Sequence, residues 1–188
     1  GMVMALLFSL ITLWIVRNMN PRKVDKYFRK LQLLSAAVYS LSHGSNDAQK
    51  TIGIITIVLF TNNMLGETFY VPFWVIIISH SVIALGTLFG GWKVIKTLGM
   101  RVTKLTPFGG FSAETAAGLT IIGATLGGIP VSTTHTITGS IIGVGSIKGF
   151  SAVRWGVAKN ILWAWVLTIP LSAFFAMLTY LIATGFFN

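Results

Sequence analysis

The sequence predicts an all-α integral membrane protein with discontinuous helices and a re-entrant helical hairpin. Three observations lead there. Of its 188 residues, 54% are hydrophobic and only four are acidic. Three runs free of charge, Thr68 to Trp92, Thr115 to Ile147 and Asn160 to Asn188, each supply the ~20 apolar residues that cross a hydrocarbon core. Two long apolar stretches are interrupted by short polar segments, Ser42-His43-Gly44-Ser45-Asn46-Asp47-Ala48-Gln49-Lys50 and Gly127-Gly128-Ile129-Pro130-Val131-Ser132-Thr133-Thr134-His135. Lipid offers no water to polar side chains or unpaired backbone groups, so such segments persist only where they line a cavity or bind something. Two of them in one chain predict a binding site at membrane depth.

Several other classes fall away. The apolar blocks are unbroken, unlike the ~10-residue alternating segments of a membrane β-barrel. No cysteine is present, so neither a disulfide framework nor a thiolate metal site forms. The net charge of +10 does not point to nucleic acid, because the bases sit in short loops between apolar runs, as membrane topology requires. Gly1-Met2 reads as a remnant or a cut ahead of an internal segment. The apolar run after it lacks the basic n-region and small-residue cleavage site of a signal peptide.

The elements follow in order within a single transmembrane domain, 1–188. Gly1–Val16 is apolar but just short of a span. Bases gather in three groups, Arg17 to Lys30, Lys93 to Lys104 and Lys148 to Lys159. The positive-inside bias places all three in the cytoplasm of a multi-pass protein of the plasma (inner) membrane. The loop 61–67, with one acid and no base, then lies outside. Gly1–Val16 runs inward, Leu31–Leu65 outward and Val71–Trp92 inward. Phe108–Ile147 leaves the cytoplasm and returns. Ile161–Phe187 runs outward with Pro170 as a kink, which leaves both chain ends outside.

Length singles out two pieces. Leu31–Leu65 as one helix would measure ~50 Å against a core of ~30 Å. The segment 31–65 is therefore expected to break, tilt strongly or lie partly at the interface. Gly44 would end one half-helix, and Ser45, Asn46 or Asp47 would cap the next. In 108–147, Gly127, Gly128 and Pro130 are helix breakers, and Ser132 or Thr133 is the natural N-cap of the helix that follows. Each arm offers about 15 residues, short of a full span. A re-entrant hairpin fits; two short full spans with the tip outside fit as well, and charge counting does not separate them.

The two interruptions divide chemically. A half-helix N-terminus exposes unpaired N–H groups and a partial positive charge, which favours phosphate, sulfate or carboxylate. Ser132, Thr133 and Thr134 add three hydroxyls there, with no formal charge to slow release. Asp47 needs the opposite partner, since a carboxylate at membrane depth costs ~3 kcal/mol or more unless neutralised. Asp47, Asn46 and carbonyls freed by a break offer hard oxygens suited to Na⁺ or a proton, the division of labour common in secondary transporters. Lys50 either touches the anion or pairs with Asp47. Glu114, the other intramembrane acid, is a cation ligand, a proton site or a gate; the bland alternative is that it reaches the surface near Lys104. His43, His80 and His135 are too widely spaced for a metal set, and His80 is expected to serve helix packing or a hydrogen bond.

His43-Gly44-Ser45-Asn46-Asp47-Ala48-Gln49-Lys50-Thr51 and Gly128-Ile129-Pro130-Val131-Ser132-Thr133-Thr134-His135 resemble the inorganic phosphate transporter (PiT) family, with Phe111 to Thr120, containing Glu114, between them in the family's order. Family members are similar in having two inverted repeats, each with an Asn-Asp motif and a Pro-Val-Ser-Thr-Thr-His motif. This chain looks like the C-terminal repeat, one inverted-repeat half, with Ser45 in place of an expected alanine. The resemblance implies a non-enzymatic, cation-coupled symporter of inorganic phosphate, with Na⁺ preferred over H⁺ and no cofactor. It implies phosphate binding by Ser132, Thr133, Thr134, Asn46, Gln49 and Lys50, cation binding by Asp47, Asn46 and Glu114, and Na⁺ at Asp47 and Asn46. The N-terminal repeat is absent, so the chain is expected to be a fragment, a cleaved product or one part of a split transporter. Its partners would be the N-terminal half of the transporter and the lipid bilayer; a homodimer with a second copy is a further expectation. Alternatives of the same fold are an H⁺-coupled phosphate or metal–phosphate carrier and a sulfate permease. A remote alternative is an intramembrane lipid phosphatase using His43 or His135 with Asp47, which would lack the Arg/Lys clamp of phosphoryl chemistry. A third is a half that only scaffolds a partner.

Overall fold

The computed structural model describes residues 1–187. Its helices are α1 (Met2–Val16), α2 (Pro21–Thr61), α3 (Phe73–Lys96), α4 (Pro107–Leu126), α5 (Thr133–Ile147) and α6 (Trp155–Phe187). A π-helical turn, Thr97–Val102, continues α3, and a short 3₁₀ turn, Phe150–Ala152, precedes α6. The chain divides into two compact units, Gly1–Val153 and Arg154–Asn188. Phe73–Val102 and Trp155–Gly185 are long and apolar enough to cross a membrane, and α1 is a shorter apolar helix. In the second unit, α6 continues as helix through Pro170.

The expected break in 31–65 is absent. α2 is one helix of 41 residues, roughly 60 Å long at 1.5 Å per residue. It starts at Pro21, a residue suited to a first helical position, after Asn20 accepts the Arg22 N–H at 3.0 Å. Gly44 costs a helix only ~1 kcal/mol relative to alanine, and tertiary packing on two opposite faces outweighs that. At about 100° per residue, Gln32, Ser35, Tyr39, Ser42, His43, Asn46, Asp47 and Lys50 fall on one stripe about 140° wide. Ala48, Ile52, Ile55 and Leu59 fall on the opposite side and pack with Val75, Ile76 and Ile83 of α3. Ser45, Asn46 and Asp47 read as caps because their side chains compete for local backbone. In the folded chain Asn46 and Asp47 find partners on other helices instead.

The polar stripe of α2 meets α4. The two helices run parallel in fixed register: Ser35 bonds Glu114 and Asn46 bonds Thr125, each pair 79 residues apart. Small residues of α4 permit the approach. Gly110 lies against the Gln32 amide, and a side chain at Gly118 would touch Tyr39 and Ser42. Phe28 of α2 packs edge-on against Phe108 and Phe111 of α4, with ring centroids 5.1 and 5.2 Å away, and Phe8 of α1 joins Phe111 at 5.8 Å.

The segment 108–147 is a helical hairpin, as its breakers predict. α4 has 20 residues, about 30 Å and longer than expected, while α5 has 15, about 22 Å. α1 packs on α5 at backbone distance: a Cβ on Gly143 would sit 2.5 Å from the Met2 carbonyl oxygen.

Candidate functional site

The site forms where the middle of α2 meets the α4–α5 connection. α4 ends at Leu126 with Gly127 as its cap, and Gly128 takes φ +68, a left-handed conformation that favours glycine. The Gly128 and Ile129 N–H groups return to the Thr125 and Ala124 carbonyls at 3.1 and 2.9 Å. Pro130 and Val131 then lead, outside any helix, to an extended Ser132. Ser132 is the N-cap of α5, its hydroxyl oxygen accepting the His135 N–H at 3.3 Å.

Asp47 is the centre of the node. The Thr133 hydroxyl, 1% exposed, lies 3.2 and 3.0 Å from the two Asp47 carboxylate oxygens and donates to them. The Lys50 ammonium donates to the Val131 carbonyl at 2.9 Å and stands 3.5 Å from Asp47 Oδ1. His43 Nδ1 is 3.4 Å from Oδ2 without hydrogen-bond alignment, and its ring stacks on Tyr39 at 5.9 Å. One turn below Lys50, Asn46 donates from Nδ2 to the Thr125 hydroxyl at 3.0 Å. Its Oδ1 is buried with no partner. A buried acceptor without a donor costs about 1–3 kcal/mol, which makes this oxygen a candidate ligand atom. Asn46 and Thr125 also line a groove of about 250 Å³ between α2 and α4.

The sequence-derived set is brought together in part. Asn46, Asp47, Lys50 and Thr133 share the node, and Ser132 adjoins it. Lys50 stands against Asp47 and the Val131 carbonyl. Thr134 and Gln49 are exposed and stand outside these contacts. Glu114 does not join Asp47. It lies two turns into α4, half-buried, and accepts the Ser35 hydroxyl at 2.6 Å, in place of the alternative reach toward Lys104. Eleven residues along both helices separate that pair from Asn46–Thr125, roughly 16 Å, because the parallel register sets the two levels apart. Among the described residues no histidine–acid group suited to a metal occurs, and His80 bonds the Ile76 carbonyl of its own helix at 2.9 Å. Sequence reasoning missed Thr125 and Ser35. The signal for them was the unbroken 3.6-residue polar periodicity from Gln32 to Lys50, which a helix break at Gly44 conceals.

The arrangement thus joins a partly exposed acid, an unpartnered buried amide oxygen and a hydroxyl-rich helix start on one helical chain. Residues 2–176 match the model of the Phosphate transporter family. The chain belongs to that family, which bears out the resemblance carried by its two motifs. It is 56% identical over 183 residues to a probable low-affinity inorganic phosphate transporter of Rhizobium meliloti, a match covering 97% of this chain and 55% of the relative. A protein of the same description from Bacillus subtilis is 42% identical, with 97% of this chain and 54% of the relative covered. Among solved structures it is similar to one titled the sodium-dependent phosphate transporter, at 31% identity and a TM-score of 0.69, over 86% of this chain and 42% of that one. The chain thus spans about half the length of these relatives.

Proposed function

We propose that this chain supplies half of the binding site of a Na⁺-coupled inorganic phosphate symporter, the other half coming from the N-terminal half of the transporter. The transporter is placed in the plasma (inner) membrane with its basic loops cytoplasmic. The observation that carries the reading is the Asp47 node, a carboxylate docked on the first turn of α5. The cation is assigned to Asp47 with the unpartnered Asn46 Oδ1 beside it. Phosphate is assigned to the first turn of α5, with Ser132 and Thr134 exposed there and Thr133 bridging to the acid.

The chemistry couples the two ligands. The negative Asp47 alone repels phosphate, and Lys50 offsets that repulsion while it holds Asp47 and the Val131 carbonyl. A Na⁺ at Asp47 takes over the neutralisation and frees the Lys50 ammonium to meet the anion. Each ligand then favours the other, and by linkage the effect is reciprocal. The name of the solved relative supports Na⁺ as the coupling ion.

The test is labelled-phosphate uptake by the full-length transporter in proteoliposomes, with a Na⁺ gradient, a proton gradient or neither. Asp47→Asn is expected to remove most of the Na⁺ stimulation, at least tenfold, since truncating a charged hydrogen-bonded group costs ~1.5–3 kcal/mol. Undiminished Na⁺ stimulation in that variant would refute the cation role of Asp47. Uptake driven by protons without Na⁺ would transfer the coupling to H⁺. Strong competition by sulfate would change the cargo.

A further inference from the structure

A second polar–apolar feature lies away from the Asp47 node. The turn joining α1 to α2 and the start of α4 enclose a groove of about 350 Å³. Its walls are apolar, with Leu13 and Val16 from α1, Val24 from α2 and Phe108 from α4. Arg17 stands at its mouth as the C-terminal cap of α1. The guanidinium carbon lies 5.3 Å from the centre of the Trp14 ring, a cation–π distance that holds the charge in place. Among the described residues, no carboxylate lies within ion-pair distance of Arg17. The acid that does line the groove, Asp25, is taken by Arg29 at 2.8 Å. The starts of α2 and α4, at Pro21 and Thr106, line the same groove and bring two partial positive charges against the one partial negative charge of the α1 C-terminus.

We propose that this groove binds one anionic phospholipid, its headgroup phosphate at Arg17 and an acyl chain along Leu13, Val16, Val24 and Phe108. Charge complementarity argues for that occupant. Residues 17–30 carry six bases, Arg17, Arg22, Lys23, Lys26, Arg29 and Lys30, against Asp25 alone. A basic cluster at the end of an apolar helix is the arrangement that recognises anionic lipid at a membrane surface. Free inorganic phosphate has use for the mouth and none for the apolar walls, whereas an amphiphile fills both. Trp14, 66% exposed, sits where an indole anchors a helix at the headgroup level.

The test uses the purified full-length transporter, stripped of lipid in detergent. It is then offered phosphatidylglycerol or phosphatidylcholine at equal concentration, and the lipid retained per chain is counted by native mass spectrometry. One phosphatidylglycerol per chain should be retained in clear preference to phosphatidylcholine. Arg17→Gln should lower that retention by roughly fivefold to tenfold, the scale of losing one well-placed basic contact. Leu13→Trp, which fills the groove, should lower it too. Lys93→Gln removes the same charge at an exposed residue outside the groove lining and should leave it unchanged. Equal retention of the two lipids, or equal losses in Arg17→Gln and Lys93→Gln, would overturn the site and leave only diffuse charge. Displacement of the lipid by millimolar inorganic phosphate would overturn it as well, making the mouth an ion site. If Leu13→Trp fails to fold, the exposed Arg17→Gln decides alone.

Discussion

Thr133 has one hydroxyl proton and two Asp47 oxygens to share it with, at 3.2 and 3.0 Å. The hydroxyl fixes the carboxylate while leaving lone pairs on both oxygens for Lys50 or a cation. Valine has nearly the shape of threonine and no donor, so Thr133→Val keeps the packing of a residue that is 1% exposed. It removes the hydroxyl that fixes Asp47 and leaves the carboxylate one donor short. We expect half-saturation of uptake by Na⁺ to rise about tenfold, the equivalent of ~1.4 kcal/mol and within the range for an unmade buried hydrogen bond. Uptake measured against Na⁺ concentration checks this, and an unchanged half-saturation would mean that Thr133 only packs. Thr134→Val provides the contrast: its hydroxyl does not touch Asp47, so a loss there should appear in phosphate affinity alone.

α2 is the element on which the site depends, and its continuity has a direct consequence. A Cβ on Gly44 meets nothing within 4 Å, and the residue sits mid-helix with no positive φ. Gly44→Ala should therefore leave the protein as stable or add up to ~1 kcal/mol. A thermal unfolding midpoint lowered by the alanine would restore the broken-helix reading. Gly143→Ala is the opposite case, because the new methyl group would meet the Met2 carbonyl at 2.5 Å. Backbone must move there, and overpacking of this kind costs about 1–3 kcal/mol, so the midpoint should fall. The hairpin was legible in the sequence because its signals are local: Gly127, Gly128 and Pro130 stop one helix, and Ser132 starts the next. α2 was misread because the same local signals, Gly44 and Ser45-Asn46-Asp47, are overridden by contacts 79 and 86 residues away. Those contacts also gave Asn46 its partner Thr125, a pairing that only the helix register shows. The acids were legible as functional candidates from their cost in a bilayer, but their cost says nothing of the three helical turns between Asp47 and Glu114.

At the scale of the whole molecule, the node is a partial cradle. The Asp47 side chain is 34% exposed, and Ser132 and Thr134 are exposed beside it. On the proposed reading, phosphate drawn out of water needs donors on all sides to replace its hydration, and this chain would offer some of them from the first turn of α5 and from Lys50. The remaining donors would then come from outside this chain, and the R. meliloti relative has 45% of its length outside the matched region. The 188-residue chain reconstituted alone is therefore expected to show no saturable, Na⁺-stimulated phosphate uptake, while co-reconstitution with the remaining half of the transporter restores it at least tenfold. Saturable uptake by the chain alone would refute the half-site. Cross-linking in the same vesicles would then decide whether a second copy supplies the donors. A dimer whose abundance follows uptake would assign them to that copy, and a monomer would require the exposed edge of α5 to hold phosphate unaided.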